Sequence, residues 1–189
     1  MPADDRTVYL TFDDGPVPGP TEFVLDVLQQ FKIKATFFCI GDNIQKHPEV
    51  LLRVGDDGHT IGNHTFNHLN GWKTPTSTYL HNAQKFDEQL AIVKPGLQVS
   101  LFRPPYGRIT RRQISRLHRY RIIMWDVLTN DYSGAISPEK CLHRSLGAVR
   151  NGSIVVWHDS LKAERRLTYA LPRFIEACLE RGYTFNRIT

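Results

Sequence analysis

The chain is 189 residues long, 41% hydrophobic and 23% charged, proportions that suit one globular domain with a sizeable core. Three cysteines, Cys39, Cys141 and Cys178, odd in number and far apart, exclude a disulfide framework or a cysteine-built zinc site and read as small core residues. The net charge of +5 invites an anionic partner, but no finger-type or aromatic-interleaved motif points to nucleic acid, and no apolar run nears the roughly 18 residues of a membrane helix.

The opening stretch MPADDRTVYL shows no basic-then-apolar leader pattern. A first β-type run, VYLTF (8–12), leads into TFDDGP. TEFVLDVLQQF (21–31) follows, with apolar residues at 24, 27, 28 and 31 and Thr21 as a helix cap. The run ATFFCI (35–40) is the second strand. HPEVLLRVGDDG (47–58) is a helix with proline near its start and glycine at its end, and HTIGN (59–63) and SLFR (100–103) are the next strands.

Much of the positive charge sits in RITRRQISRLHRYR (108–121). Ile114 and Leu117 mark an inner side, Thr110 can cap, and Gln113 completes a T-x-x-Q box. The plain reading is a helix with a solvated basic face. IIMWDV (122–127) is the fifth strand. In SPEKCLHRSLGAV (137–149), Ser137 caps a helix with proline at its first position, and NG at 151–152 stops it. SIVVWH (153–158) is the sixth strand. The last helix, within 163–181, spaces Leu167, Ala170, Leu171, Phe174, Cys178 and Leu179 on one stripe, and Gly182 ends it. Pro172 inside that pattern predicts a kink or a late start. YTFNRI (183–188) is the seventh strand.

Most of these runs are nearly continuous in apolar character, as in strands covered on both faces. Strands alternating with helices and no linker between them predict a single α/β domain: a distorted (β/α) barrel with about seven parallel strands, a doubly wound open sheet being the alternative. In either plan, active sites form at the C-terminal ends of the strands. The reactive residues fall there. Asp13 and Asp14 follow strand one, and His64 and His68 follow strand three. Arg103 ends strand four, Asp126 and Asp131 end or follow strand five, and His158 and Asp159 end strand six.

Adjacent carboxylates repel unless something positive lies beside them, although DG is also a plain turn signal. In NHTFNH (63–68) two histidines stand four apart, a spacing that on one helical turn aims both imidazoles at a common point. Alone, H-x-x-x-H is more often two surface histidines. With Asp13 or Asp14 as third ligand it describes a catalytic divalent site with positions left open to water. Neighbouring residues point different ways along a strand, so one carboxylate serves as ligand and the other stays free as a base. Asp126 reads as a structural hydrogen-bonding group. Trp72 either stacks on a sugar or packs.

Five motifs in order, TFDDGP, HTFNH, RPPYG, WDVLTNDY and IVVWHD, resemble the polysaccharide deacetylases, the NodB-homology domain of carbohydrate esterase family 4. The resemblance spans nearly the whole chain, which is read as one such domain over residues 1–189. It implies that Asp13 is the catalytic base, that Asp14, His64 and His68 hold the metal, and that Arg103 orients the base. It implies further that the Tyr106 backbone N–H faces the developing oxyanion, that His158 is the general acid, and that Asp131 pairs with that histidine. Tyr132 and Val156 would line the acetyl pocket. They depart from the family's usual tryptophan and common leucine, and Leu128 stands where many members have a second aspartate.

The expected activity is metal-dependent removal of acetyl groups from N-acetylated sugars, such as chitin oligomers or peptidoglycan-type glycans. Zinc is the expected ion, with cobalt or nickel able to replace it. Two other readings stand beside it: the same fold acting on O-acetyl esters such as acetylxylan or on another small amide, and a non-catalytic glycan-binding module. The expected partner is an acetylated glycan, with no nucleic acid and no membrane span, and the chain is taken as a monomer. The substrate class suggests the envelope or the cell exterior, whereas no leader is visible.

Overall fold

The computed structural model describes residues 6–189, so the leader reading at MPADD lies outside the described residues. Eight strands among them form one sheet: β1 (Thr7–Asp13), β2 (Thr36–Cys39), β3 (Thr60–Asn63), β4 (Leu101–Phe102), β5 (Arg121–Ile122), β6 (Val127–Leu128), β7 (Ile154–His158) and β8 (Thr184–Asn186). Their order is β5-β4-β3-β2-β1-β7-β6, with β8 against the start of β1, and every pairing is parallel. Among the described residues seven α-helices surround the sheet: α1 (Pro20–Gln30), α2 (Gly41–Lys46), α3 (Pro48–Asp56), α4 (Thr76–Val93), α5 (Arg111–Arg116), α6 (Pro138–Ala148) and α7 (Glu164–Glu180). The expected distorted barrel of parallel strands is what forms, curled and open between β5 and β6.

The expected fifth strand is in fact two. Residues 121–128 begin as β5 beside β4 and end as β6 beside β7, crossing the mouth of the open barrel. The crossing is held by backbone bonds, from the Ile123 N–H to the Phe102 carbonyl at 2.9 Å and from the Asp126 N–H to the Ile154 carbonyl at 3.3 Å, and by side chains. Arg103 donates from Nε to the Ile123 carbonyl at 3.2 Å, and the Asp126 carboxylate accepts from the Ile154 N–H at 2.8 Å and the Ser153 hydroxyl at 2.9 Å. Asp126 therefore takes the structural role its position suggested.

The side-chain period of two divides β1 between two environments. Leu10 and Phe12 point out to the main core, where Phe12 stacks on Phe37 at 5.0 Å and Trp157 meets Phe174 edge-on at 5.6 Å. Burial of each such side chain stabilises by about 1.5–3 kcal/mol. Tyr9, Thr11 and Asp13 alternate with them, and Tyr9 joins a small apolar cluster with Phe38, Leu101 and Ile188. The barrel interior is thus apolar toward its base and polar toward the strand ends.

Several local expectations shift. Thr21 does not cap α1: the helix begins at Pro20 with Gly19 as N-cap, and the Thr21 hydroxyl accepts the Val17 N–H at 2.8 Å instead. Thr110 and Gln113 do form the capping box, but α5 ends after six residues, with Leu117 buried and Ile114 exposed. α7 runs unbroken through Pro172, and its buried stripe holds Leu167, Ala170, Leu171, Phe174 and Cys178 but not Leu179, which is 41% exposed. Two helices, α2 and α4, fall outside the expected set. α4 buries Tyr79, Asn82, Ala83, Phe86 and Leu90, a stripe at helical spacing that a buried asparagine and a polar surround disguise.

Candidate active site

The turn after β1 is held by three partners, Asp159, Asn43 and Ile40. The Asp159 carboxylate, fully buried, accepts the Gly15 N–H at 3.0 Å and the Thr21 hydroxyl at 2.7 Å. Asn43 Nδ2 donates to the Asp14 carbonyl at 2.7 Å, and the Ile40 N–H donates to the Gly15 carbonyl at 2.8 Å. Asp14 itself sits at φ 83°, a conformation that needs such support outside glycine. A Cβ at residue 15 would lie 2.0 Å from Asp159 Oδ2, so only glycine admits the carboxylate there. Burial raises Asp159 to about 8. Sequence reasoning placed Asp159 on the rim without a role; the small residue beside two acids was the available signal.

The histidine loop converges by a different route from the expected helical turn. Thr65 and His68 have φ of 64° and 54°, and no helix forms over residues 64–68. Asparagine side chains take the amides that a helix would have used. Asn63 Oδ1 accepts the Thr65 N–H at 2.7 Å, and Asn82 Oδ1, reaching in from α4, accepts both the Phe66 and Asn67 N–H groups at 2.9 Å. Both asparagines are buried. No local pattern points to Asn82, whose partner Phe66 lies 16 residues away.

The loop aims both imidazoles at Asp14. His64 Nε2 lies 3.8 Å and His68 Nε2 3.2 Å from Asp14 Oδ1, and one ligand atom from each of the three falls within 4.8 Å of the others. His64 Nδ1 is 2.8 Å from the Arg103 carbonyl, which can only accept, so Nδ1 carries the proton. In the neutral ring, Nε2 then presents a lone pair to the carboxylate. Burial, with His64 beside it, lowers His68 to about 4 and keeps it neutral. Asp14 Oδ1 is buried and has no hydrogen-bond partner despite the nearby His68 nitrogen. Lone pairs facing an orphaned carboxylate oxygen repel unless a cation lies among them. The donor set therefore fits a divalent ion, with Asp14, His64 and His68 as the residues to hold it.

Asp13 turns the other way. Its Oδ1 accepts from Arg103 Nη1 at 2.7 Å, and the guanidinium also donates to the Thr11 hydroxyl at 2.7 Å. Arg103 is fully buried and lies over the Phe38 ring at 4.1 Å. Burial alone would raise the Asp13 carboxyl, but Arg103, then His64 and His158, outweigh it and hold Asp13 below the usual carboxylate range. Its Oδ2 stands 3.9 Å from His64 Nε2.

Across the cleft, Asp131 Oδ1 lies 2.7 Å from His158 Nδ1, and Oδ2 accepts the His158 backbone N–H at 2.7 Å. Arg166 Nε donates to the Asp131 carbonyl at 2.5 Å. Burial would lower His158, but the charge and hydrogen bond of Asp131 prevail and raise it to about 9. Nδ1 is engaged, so Nε2 is the nitrogen left for the cleft.

The cleft between the two pairs has a volume of about 560 Å³ and includes Tyr106, Tyr132 and Val156 in its lining. Tyr106 sits at φ 61°, and its hydroxyl is 3.1 Å from His68 Nδ1. The Tyr132 ring meets His158 edge-on at 4.8 Å. The ten residues to which the resemblance gives roles thus surround one cleft or the charge pairs beneath it. Trp125, Arg108 and Lys162, which also line it, had no assigned place.

Residues 1–124 match the family model for polysaccharide deacetylase. A peptidoglycan-N-acetylglucosamine deacetylase of Bacillus cereus is 36% identical over 84% of the chain, which spans 58% of that relative's length. A chitooligosaccharide deacetylase of Rhizobium leguminosarum bv. trifolii is 33% identical over 83% of the chain and 73% of its own length. Among solved structures, the Bc1960 peptidoglycan N-acetylglucosamine deacetylase, in complex with an N-hydroxybenzamide, superposes with a TM-score of 0.92 at 32% identity. That match covers 99% of this chain and 88% of the other.

Proposed function

The chain belongs to the polysaccharide deacetylase family, and we propose that it is a metal-dependent hydrolase that removes acetyl groups from N-acetylated glycans, releasing acetate. The observation that carries this reading is the placing of three ligand-type side chains, Asp14, His64 and His68, between a carboxylate held ionised and an imidazole held protonated.

The ion, zinc or else cobalt or nickel, would be held by Asp14, His64 and His68, and when bound it supplies Lewis acidity to a water and to the acetyl carbonyl. The remaining steps belong to side chains. Asp13, ionised beside Arg103, accepts a proton from the attacking water as its oxygen bonds to the acetyl carbon. The Tyr106 N–H is assigned to the oxygen of that carbonyl as charge builds on it, a kind of donor commonly worth about 3–4 kcal/mol. His158 Nε2 passes its proton to the amide nitrogen as the C–N bond breaks, so the products are acetate and a free amine. Tyr132 and Val156 bound the space for the methyl group.

An imidazole held protonated to about 9 favours an amide over an ester substrate, because an amine leaves poorly without a proton and an alcohol needs one less. The relatives named for glucosamine-containing glycans support the same choice, and such substrates lie in the envelope or outside the cell. The test is acetate release from chitin oligomers and from peptidoglycan fragments. Release that stops with chelator and returns with zinc supports the reading. Release from acetylxylan alone, or from no acetylated sugar, contradicts it.

A further inference from the structure

The turn between the two histidines hangs on Asn63, whose own amide is fixed from outside the cleft. Asn63 Oδ1 accepts the Thr65 N–H at 2.7 Å and so supports the positive φ of Thr65. The Thr65 hydroxyl in turn accepts the Leu69 N–H at 3.1 Å, just past His68. On its other side Asn63 Nδ2 donates to the Ala83 carbonyl at 2.9 Å and to the Tyr120 hydroxyl oxygen at 3.0 Å. A carbonyl can only accept, and a tyrosine hydroxyl has a single hydrogen. That hydrogen goes to Asp87, whose Oδ1 and Oδ2 lie 2.7 and 2.6 Å from the Tyr120 oxygen. An Asn63 amide turned over would press its oxygen on the Ala83 carbonyl and its amino group on the Thr65 N–H. The orientation that serves Thr65 is therefore set by Ala83, Tyr120 and Asp87.

The far end of this chain lies well away from the chemistry. Asp87 is on α4 and Tyr120 immediately precedes β5, 57 residues from Asn63. Arg119 pairs with Asp87 Oδ2 and donates to the Tyr120 oxygen at 2.5 Å. Asp87 and Arg119 border a separate outer cavity of about 580 Å³ with Leu90 and Val99. Asn63 and Tyr120 are buried. Burial and the Asp87 carboxylate push the Tyr120 hydroxyl well above its ordinary 10, so it keeps the hydrogen it donates. Hydrogen bonds in series polarise one another where water is excluded, so a hydroxyl drawn to a carboxylate is the better acceptor for Asn63. With Asn82 already taking the Phe66 and Asn67 amides, α4 reaches the histidine loop at two points.

We propose that Asp87 and Tyr120 are positioning residues of the candidate metal site: acting through Asn63, they hold the Thr65 turn that aims His64 and His68 at Asp14. Both act at a distance, through one amide side chain. Their meaning for the reaction rests on the reading of Asp14, His64 and His68 as metal ligands; their hold on the turn rests on the hydrogen bonds alone. A merely structural role would lower stability and leave the zinc affinity of the folded protein where it was. A positioning role moves that affinity, because the two imidazoles no longer wait in place for the ion.

The test compares the wild type with Tyr120→Phe, Asp87→Ala and the double variant. Ile175→Val, on the buried face of α7, serves as a control that loosens packing elsewhere. Zinc affinity of each folded, chelator-stripped protein is measured by calorimetry, and exchange of the Thr65 amide hydrogen is followed by NMR in the metal-free state. Tyr120→Phe should weaken zinc about three- to tenfold, less than the roughly 10- to 100-fold typical of groups bonded to a ligand directly, and should quicken Thr65 exchange by a similar factor. Asp87→Ala should do no more than that. The double variant should match Tyr120→Phe, because Asp87 acts through the Tyr120 hydroxyl. Unchanged zinc affinity in Tyr120→Phe, losses that multiply in the double variant, or an equal loss in Ile175→Val overturns the proposal. Absence of saturable zinc binding in the wild type overturns the metal reading instead, and Thr65 exchange alone then decides whether Asp87 and Tyr120 hold the turn.

Discussion

The two sides of the cleft use the same parts to opposite ends. On one side a buried carboxylate, Asp13, meets Arg103 at 2.7 Å; on the other a buried carboxylate, Asp131, meets His158 at the same 2.7 Å. The first pair leaves an ionised carboxylate and the second a protonated imidazole, the base and the acid of the proposed reaction. Arginine does not give up its proton in the working range, so its charge is spent on keeping Asp13 ionised. Histidine does titrate there, so the charge of Asp131 is spent on keeping His158 protonated. What each pair does follows from which member can change its charge.

That contrast is most sharply broken by removing the base alone. Asp13→Asn should lower kcat by roughly 10²–10⁴-fold, the usual scale of a lost general base, while zinc still binds with similar affinity because Asp14, His64 and His68 remain. Loss of zinc along with turnover would mean that the two carboxylates do not divide their roles. Removing the fixed cation acts on the fold as well. Arg103→Met leaves a buried carboxylate unpaired and should cost about 3–5 kcal/mol in denaturant unfolding. Recovery of most of that loss in Asp13→Asn with Arg103→Met would show that the cost comes from the orphaned charge.

The titrating pair is sharpened by pH. His158 is raised from its ordinary 6.5 to about 9. Folding is therefore helped by the charged pair fully below about pH 6.5, and that help is lost as pH rises through about 9. Turnover that needs the protonated imidazole should fall over the same upper limb. Asp131→Asn should move the limb down by at least one pH unit, about 1.4 kcal/mol of interaction, and an unmoved limb would remove Asp131 from its role. The smallest effect is expected at Asp159→Asn. It keeps the shape but weakens one hold on the Asp13–Asp14 turn, and should loosen zinc by up to about tenfold, the scale of one hydrogen bond.

Much of this was legible in the sequence because the chemistry sits where strands stop. VYLTF, ATFFCI and SIVVWH each announce a strand by continuous apolar character, and the acids and histidines follow where the runs break off. What was hidden depends on partners distant in the chain. The run 122–127 looks like one strand, yet Arg103 and Asp126 pin its two halves to opposite edges of the opening. The histidine pair has helical spacing, yet Asn63 and Asn82 hold it as a loop. Thr21 has the look of a cap, yet its hydroxyl is drawn to Asp159, 138 residues away. A local pattern states what a segment prefers and not which remote side chain will take its amides.

The most direct measurement is a calorimetric titration of chelator-stripped protein with zinc, in the wild type and in His64→Ala, with folding monitored in both. One equivalent bound per chain, with saturable binding abolished in a still-folded His64→Ala, is the result expected if Asp14, His64 and His68 close on a common cation. No saturable binding in the wild type, or binding unchanged by the substitution, would contradict the account.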